Sequence, residues 1–306
     1  MRLGLSHVIE PRLAPLVEET RAFYASRGTG VGPRNRDELV VARAATKPAV
    51  PSHPPAVENV VHHEGRSVPI RVHPPTTGDV RGALLDVHGG GFYMGSATAD
   101  DVRNQALADA LRIAVVSVDY RLAPENPWPA APDDSETAAL WLAEHAAELF
   151  GVGRLAIQGF SAGATLAMCT LLRLRDRGVK AFEGSVLQFG TYDLSGLTPS
   201  GRLIADEYFI EAYVGSAPDR TVPDISPVFA DLSGLPPTLM VIGEDDILLD
   251  DNFAMSARLV AAANDVELRV YPVAPHGFTR HPTPMATAAQ TDIHAWLDAL
   301  YDAGRT

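Results

Sequence analysis

"LAIQGFSAGATLAM", residues 155–168, starts as an apolar, strand-like run, breaks at Gly159-Phe160-Ser161-Ala162-Gly163 and resumes as helix-forming residues. A serine between two such glycines occupies a strained strand-to-helix elbow. The glycines remove side chains that would strike the neighbouring strand and helix, and the hydroxyl is raised above the sheet. The bare pentapeptide arises often by chance. Its weight here comes from its place, once in the chain, at a strand-to-helix junction.

The surrounding chain has the alternation that such an elbow requires. "GALLDVH" (82–88), "IAVVSV" (113–118), "RLAIQGF" (154–160), "GSVLQF" (184–189), "TLMVIG" (238–243) and "VELRVY" (266–271) read as strands. Helical stretches are predicted near 98–110, 134–149, 162–177, 249–263 and 285–302. Almost wholly apolar strands are expected where helices cover both faces of a parallel sheet. Upstream, "NVVHHE" and "SVPIRVH" flank Glu64-Gly65-Arg66, which predicts an antiparallel hairpin at one sheet edge. Residues 190–236 are too long for an ordinary loop and carry a helical piece of their own, so they read as an insertion over the carboxyl edge of the sheet. Residues 6–26 have one apolar stripe at helical spacing, and the proline-rich "KPAVPSHPP" (47–55) reads as a linker.

A serine hydroxyl is a weak nucleophile unless an imidazole takes its proton and a carboxylate orients that imidazole. Of ten histidines, His276 lies in the loop directly after the last predicted strand. His281 is its nearest rival, and His294 falls inside the terminal helix. His62 and His63 alternate to opposite faces of the hairpin, which argues against a shared metal. The carboxylate is expected in "GEDDILLDDN" (243–252), where spacing alone leaves Asp245 and Asp246 open. Asp250 and Asp251 fit acids that complement a helix dipole. A second glycine cluster, "DVHGGGFYMG" (86–95), follows a strand. It fits neither dinucleotide fingerprint nor P-loop, since Met94 stands where the last glycine would be and no Lys-Ser or Lys-Thr follows. It therefore reads as a turn that offers backbone N–H groups to something other than a nucleotide.

Composition narrows the classes. The formal charge is −13 with 46% hydrophobic residues, and the cations are scattered, so nucleic acid and anionic membranes are poor partners. The single cysteine, Cys169, sits on an apolar helical face and reads as a structural thiol. The amino terminus lacks the apolar core of a signal peptide and no run is long enough to span a bilayer, which gives the expectation of a cytoplasmic protein.

Taken together, "HGGGFYMG", "SVDYRLAPENPWPAAPDD" (117–134), "GFSAG", "SPVFADLSGLPPTLMVIGEDDILLDDN" (226–252) and "HGF" (276–278) resemble the hormone-sensitive-lipase-like family of α/β hydrolases. The resemblance implies an α/β-hydrolase fold, a mostly parallel eight-stranded sheet flanked by helices, with a helical cap. Residues 1–50 correspond to a cap segment, and 51–306 to the hydrolase domain with a cap insertion near 190–236. It further implies Ser161 as nucleophile, His276 as general base and acid, Asp246 as their acid partner, and an oxyanion hole from the N–H groups of Gly89, Gly90 and Ala162. Neither cofactor nor metal is implied, and the partner is a small-molecule ester. Phe92, Tyr93, Phe160 and Phe278 are the expected apolar contacts with substrate.

The expected activity is hydrolysis of short to medium acyl esters through an acyl-enzyme. Alternatives are a non-catalytic small-ligand-binding protein on this fold, or an acyltransferase or biosynthetic deacylase. Two positions depart from the family pattern: Phe160 replaces the usual Asp or Thr, and Gly163-Ala164-Thr165 replaces Gly-Gly-Asn. Phe160 is expected to pack behind the glycine turn or under the cap, in an apolar site. Arg121 and Glu125 are expected to pair and hold that turn, with Asp134 as a helix cap.

Overall fold

Short, wholly apolar strands need cover on both faces, and the computed structural model, which describes residues 8–27 and 32–303, supplies it. The strands are β1 (Val57–His63), β2 (Arg66–His73), β3 (Ala83–Val87), β4 (Ala114–Val118), β5 (Leu155–Phe160), β6 (Phe182–Gln188), β7 (Thr238–Gly243) and β8 (Val266–Tyr271). They form one eight-stranded sheet in the order β1-β2-β4-β3-β5-β6-β7-β8. β2 runs antiparallel to β1 and β4, and every other neighbouring pair is parallel. The helices are α1 (Val17–Ala25), α2 (Arg36–Ala44), α3 (Asp101–Leu111), α4 (Ala130–Phe150), α5 (Ala162–Asp176), α6 (Tyr208–Val214), α7 (Leu249–Ala261) and α8 (Pro284–Asp302). α4 and α5 pack on one face and α3 and α8 on the other, so every residue of β3 and β4 is buried.

The hairpin forms as its sequence predicts. Glu64 and Gly65 both have left-handed backbone, at φ 46° and 79°, the geometry of a two-residue turn whose twist matches its strands. At the opposite end of the chain, α8 starts at Thr283, whose side chain accepts from the Ala286 N–H ahead of Pro284 at the first helical position.

Strand order places the site. β3 lies between β4 and β5, so the chain leaves it to one side through α3 and returns to the other through α4. Ligands of open α/β sheets bind at such a reversal, outside the carboxyl ends of the strands. Val87 pairs with Gly159 there, so the glycine turn after β3 and the serine elbow after β5 emerge side by side.

Two regions differ from their sequence reading. The segment 6–26 forms a 3-10 turn (Pro11–Leu16) and α1, while residues 6 and 7 lie outside the described residues. It packs along α8 and β8, with Arg12 on Asp292 at 2.5 Å and the Tyr24 hydroxyl 2.9 Å from His281 Nδ1. α2 has no counterpart in the sequence reading. It is capped by Asn35, whose side chain accepts from the Glu38 N–H at 2.9 Å.

Candidate active site

Glycine is required at the elbow because backbone surrounds it. A Cβ on Gly159 would lie 2.1 Å from the Gly163 carbonyl oxygen, and one on Gly163 would lie 2.0 Å from that of Val87. Between them Ser161 is held at φ 55° and ψ −120°, a conformation that costs a side-chain-bearing residue of order 1–3 kcal/mol. Neighbouring bonds fix it there: its N–H donates to Gln188 O at 2.9 Å, and its own carbonyl accepts from Ala164 N at 2.8 Å.

The hydroxyl so presented meets two partners from later loops. Ser161 Oγ lies 2.8 Å from His276 Nε2. His276 Nδ1 lies 2.9 Å and 3.2 Å from the two carboxylate oxygens of Asp246. A carboxylate only accepts, so this contact puts the ring hydrogen on Nδ1 and leaves Nε2 to accept from the serine. Between the two candidate acids, burial distinguishes them. Asp246 is buried and also accepts from Leu248 N at 2.9 Å, whereas Asp245 is exposed. Asp251 lies with Asp250 in the first turn of α7, where an acid complements the helix dipole. It is buried and accepts from Tyr192 N, and burial pushes its carboxyl up to about 7.

The glycine turn is fastened from below. His88 stacks on Tyr120 with centroids 4.1 Å apart, its Nδ1 donates to Gly89 O at 2.8 Å, and the Tyr120 hydroxyl donates to His88 O at 2.9 Å. A Cβ on Gly89 would meet the Phe160 carbonyl oxygen at 2.6 Å, and one on Gly90, at φ 125°, the Met94 carbonyl oxygen at 2.1 Å. Gly89 thus lets the turn lie against the serine elbow and Gly90 lets it fold tightly on itself, while Gly91 lines the cavity in front of Ser161. Among the described residues, the N–H groups of Gly89, Gly90 and Ala162 donate to no protein acceptor.

Behind the elbow the surroundings are aromatic but not wholly apolar. Phe160 packs edge-on to Phe189 at 4.7 Å, and Phe189 packs edge-on to the His276 ring at 5.2 Å. On the other side the Arg280 guanidinium lies 3.8 Å from the Phe160 ring centroid and pairs with Asp100 at 2.8 Å. The expectation of a purely apolar site is therefore corrected: a cation held by a buried carboxylate sits against the ring.

A cavity of about 230 Å³ opens over Ser161 and His276, walled by Gly32, Tyr93, Ile204, Phe209 and Leu248 among others. Of the aromatic residues expected to contact substrate, Tyr93 lines it. Phe92 and Phe278 do not: both are fully buried, Phe92 stacked on Tyr213 at 3.9 Å and Phe278 against Tyr271 at 5.2 Å, so they are core. Phe160 does not line it either and lies behind the glycine turn.

The expected Arg121–Glu125 pair does not form. Arg121 pairs with Asp134 at 2.8 Å, which makes Asp134 a salt-bridge partner rather than a cap. Glu125 instead meets Arg43, at 3.0 Å. Arg43 is the supporting residue that sequence reading missed. From α2 it donates to Tyr93 O at 2.7 Å and Ala123 O at 2.6 Å, tying the glycine turn to the "YRLAPE" loop. Asn35 with Glu38 three residues on was its available signal, a capping-box spacing that marks a helix start.

With this geometry in view, a family model described as the alpha/beta hydrolase fold matches residues 84–280. The chain is 34% identical over 249 residues to the carboxylesterase NlhH of Mycobacterium tuberculosis, covering 76% of this chain and 78% of that one. It is 34% identical over 233 residues to an ethyl acetate hydrolase of Pseudomonas putida, covering 71% and 73%. A hormone-sensitive lipase from a metagenome library, solved by crystallography, superposes with a TM-score of 0.72 at 29% identity over 96% of this chain and 99% of that one. The chain belongs to the hormone-sensitive-lipase-like α/β hydrolases. It is a carboxylic ester hydrolase. No helix among the described residues of this hydrolase is long and apolar enough to cross a membrane.

Proposed function

We propose that Ser161, His276 and Asp246 act as a catalytic triad that hydrolyses short to medium acyl esters through an acyl-enzyme. Ser161 Oγ attacks the ester carbonyl carbon while His276 Nε2 takes its proton, and Asp246 stabilises the resulting imidazolium. The carbonyl oxygen, now negative, accepts from the N–H groups of Gly89, Gly90 and Ala162; one such donor is worth about 3 kcal/mol in comparable sites. The carbon–oxygen bond to the alcohol breaks, and His276 returns the proton to the departing alkoxide. Water then attacks the acyl-enzyme, gives its proton to His276, and the acid leaves as Ser161 regains its hydrogen.

The observation that carries this reading is the pair of contacts at 2.8 Å and 2.9 Å that joins all three side chains in the right order. The small cavity supports a preference for short acyl groups. We assign the N-terminal residues up to 50 and the insertion 190–236 to a cap, supported by Gly32, Ile204 and Phe209 among the cavity walls. Turnover of nitrophenyl esters from acetate to laurate, by wild type and Ser161→Ala, tests the reading. Highest kcat/KM at the short end, abolished in the variant, is expected. Equal turnover by Ser161→Ala, or a maximum at laurate, would contradict it.

A further inference from the structure

Besides His276, one acidic or basic side chain among the described residues lines the cavity over Ser161: Glu207. It is exposed, and among the described residues no cation pairs with it. Its place just before α6 would suit the helix dipole, but Glu211 in the first turn of the same helix already does that. The dipole leaves unexplained why the carboxylate borders the cavity.

Its neighbours give a chemical reason. Tyr93 and Phe209, both lining the cavity, have ring centroids 6.4 Å apart at 80°, and Tyr208 stands 6.2 Å from Tyr93. Burial pushes the Tyr93 hydroxyl up to about 12, with the charge of Glu207 adding to it, so the carboxylate acts on this ring. Aromatic rings and an unpaired carboxylate around one small volume are the elements that recognise an ammonium group. A formal charge of −13 also draws cations toward the molecule.

We propose that this cavity selects esters carrying an ammonium group, held between the Glu207 carboxylate and the Tyr93 and Phe209 rings. The inference rests on the esterase reading above and adds the substrate class. It disfavours bulky anionic esters, whose charge would face Glu207 with no Lys or Arg among the described residues of the cavity wall.

Two isosteric pairs test it and locate the cation. Acetylcholine against 3,3-dimethylbutyl acetate places the charge in the alcohol half. The nitrophenyl ester of 4-trimethylammoniobutyrate against that of 5,5-dimethylhexanoate places it in the acyl half. Wild type is expected to favour the charged member of at least one pair by about fivefold in kcat/KM, chiefly through KM and less so at high salt. Glu207→Gln should bring that ratio near one and Glu207→Lys should invert it, while Asp206→Asn, a neighbouring exposed acid outside the cavity, should leave it in place. Equal ratios for wild type and Glu207→Gln would overturn the proposal. Calorimetric titration with tetramethylammonium needs no turnover. Weaker binding by Glu207→Gln supports the cation site even if the esterase reading fails, and equal binding by both proteins counts against it.

Discussion

In the frame around Ser161, space is limited by backbone: a Cβ on Gly163 would lie 2.0 Å from the Val87 carbonyl oxygen. In the covering above it, among the described residues, a Cβ on Gly32 would meet the Tyr93 hydroxyl alone, at 3.1 Å. Backbone carbonyls paired into a central sheet cannot retreat, whereas the end of a side chain can turn aside. Chemistry is thus tied to positions that tolerate no change. The proposed selectivity falls instead to side chains of the cavity wall: Tyr93, Ile204, Glu207 and Phe209.

The largest effect should come from the frame's functional groups. Asp246→Asn is expected to lower kcat by about 10⁴, as loss of the orienting carboxylate does in triads, with Asp245→Asn within about tenfold of wild type. A crippling Asp245→Asn would shift the acid by one residue. Next, Gly163→Ala should cost at least about 3 kcal/mol or prevent folding, and Gly32→Ala less than about 1 kcal/mol, both read by denaturant unfolding. Similar costs at the two glycines would erase the distinction between frame and covering.

Asp251 tests the seam between them, since it holds Tyr192 at the root of the 190–236 insertion. Its carboxyl is raised from an ordinary value of 3.8 to about 7, chiefly by burial. Between those values the folded chain binds more protons than the unfolded one, so stability falls as pH rises from about 4 to about 7 and is then level. Asp251→Asn cannot titrate. Its stability relative to wild type should therefore grow by about 2 kcal/mol or more across that window. A difference independent of pH would mean that Asp251 is charged in the fold without penalty. The smallest effect is the coupling expected behind the elbow. Phe160→Leu should cost about 1 kcal/mol and Arg280→Met more, because it also breaks the ion pair with Asp100, and the double variant should fall about 0.5 kcal/mol short of their sum, the worth of the shared contact.

Much of the frame was legible because its signals are local. The strands at 238–243 and 266–271 fall where their apolar runs do, and the elbow sits where glycine, serine and strand-to-helix transition coincide. What sequence could not give depends on burial. Asp245 and Asp246 are adjacent and chemically identical, and only the turn after β7 sends one inward. Phe92 and Phe278 sit beside motifs, yet their rings go to the core while that of Tyr93 reaches the cavity. α2 escaped notice because Leu39 is its one buried apolar residue, while Val40 and Val41 face solvent, leaving no apolar stripe to detect. Arg121 and Glu125 are close in sequence, but the loop between them turns each toward a partner from another element.

The central claim is that the elbow serine, activated by His276, is the nucleophile. A fluorophosphonate reacts with an activated serine and stays attached, so intact mass and peptide mapping after labelling test it directly. One adduct on Ser161, formed in step with loss of ester hydrolysis, absent in Ser161→Ala and slowed by Asp246→Asn, is the expected result. An adduct on another residue, or full activity in protein labelled at Ser161, would contradict it.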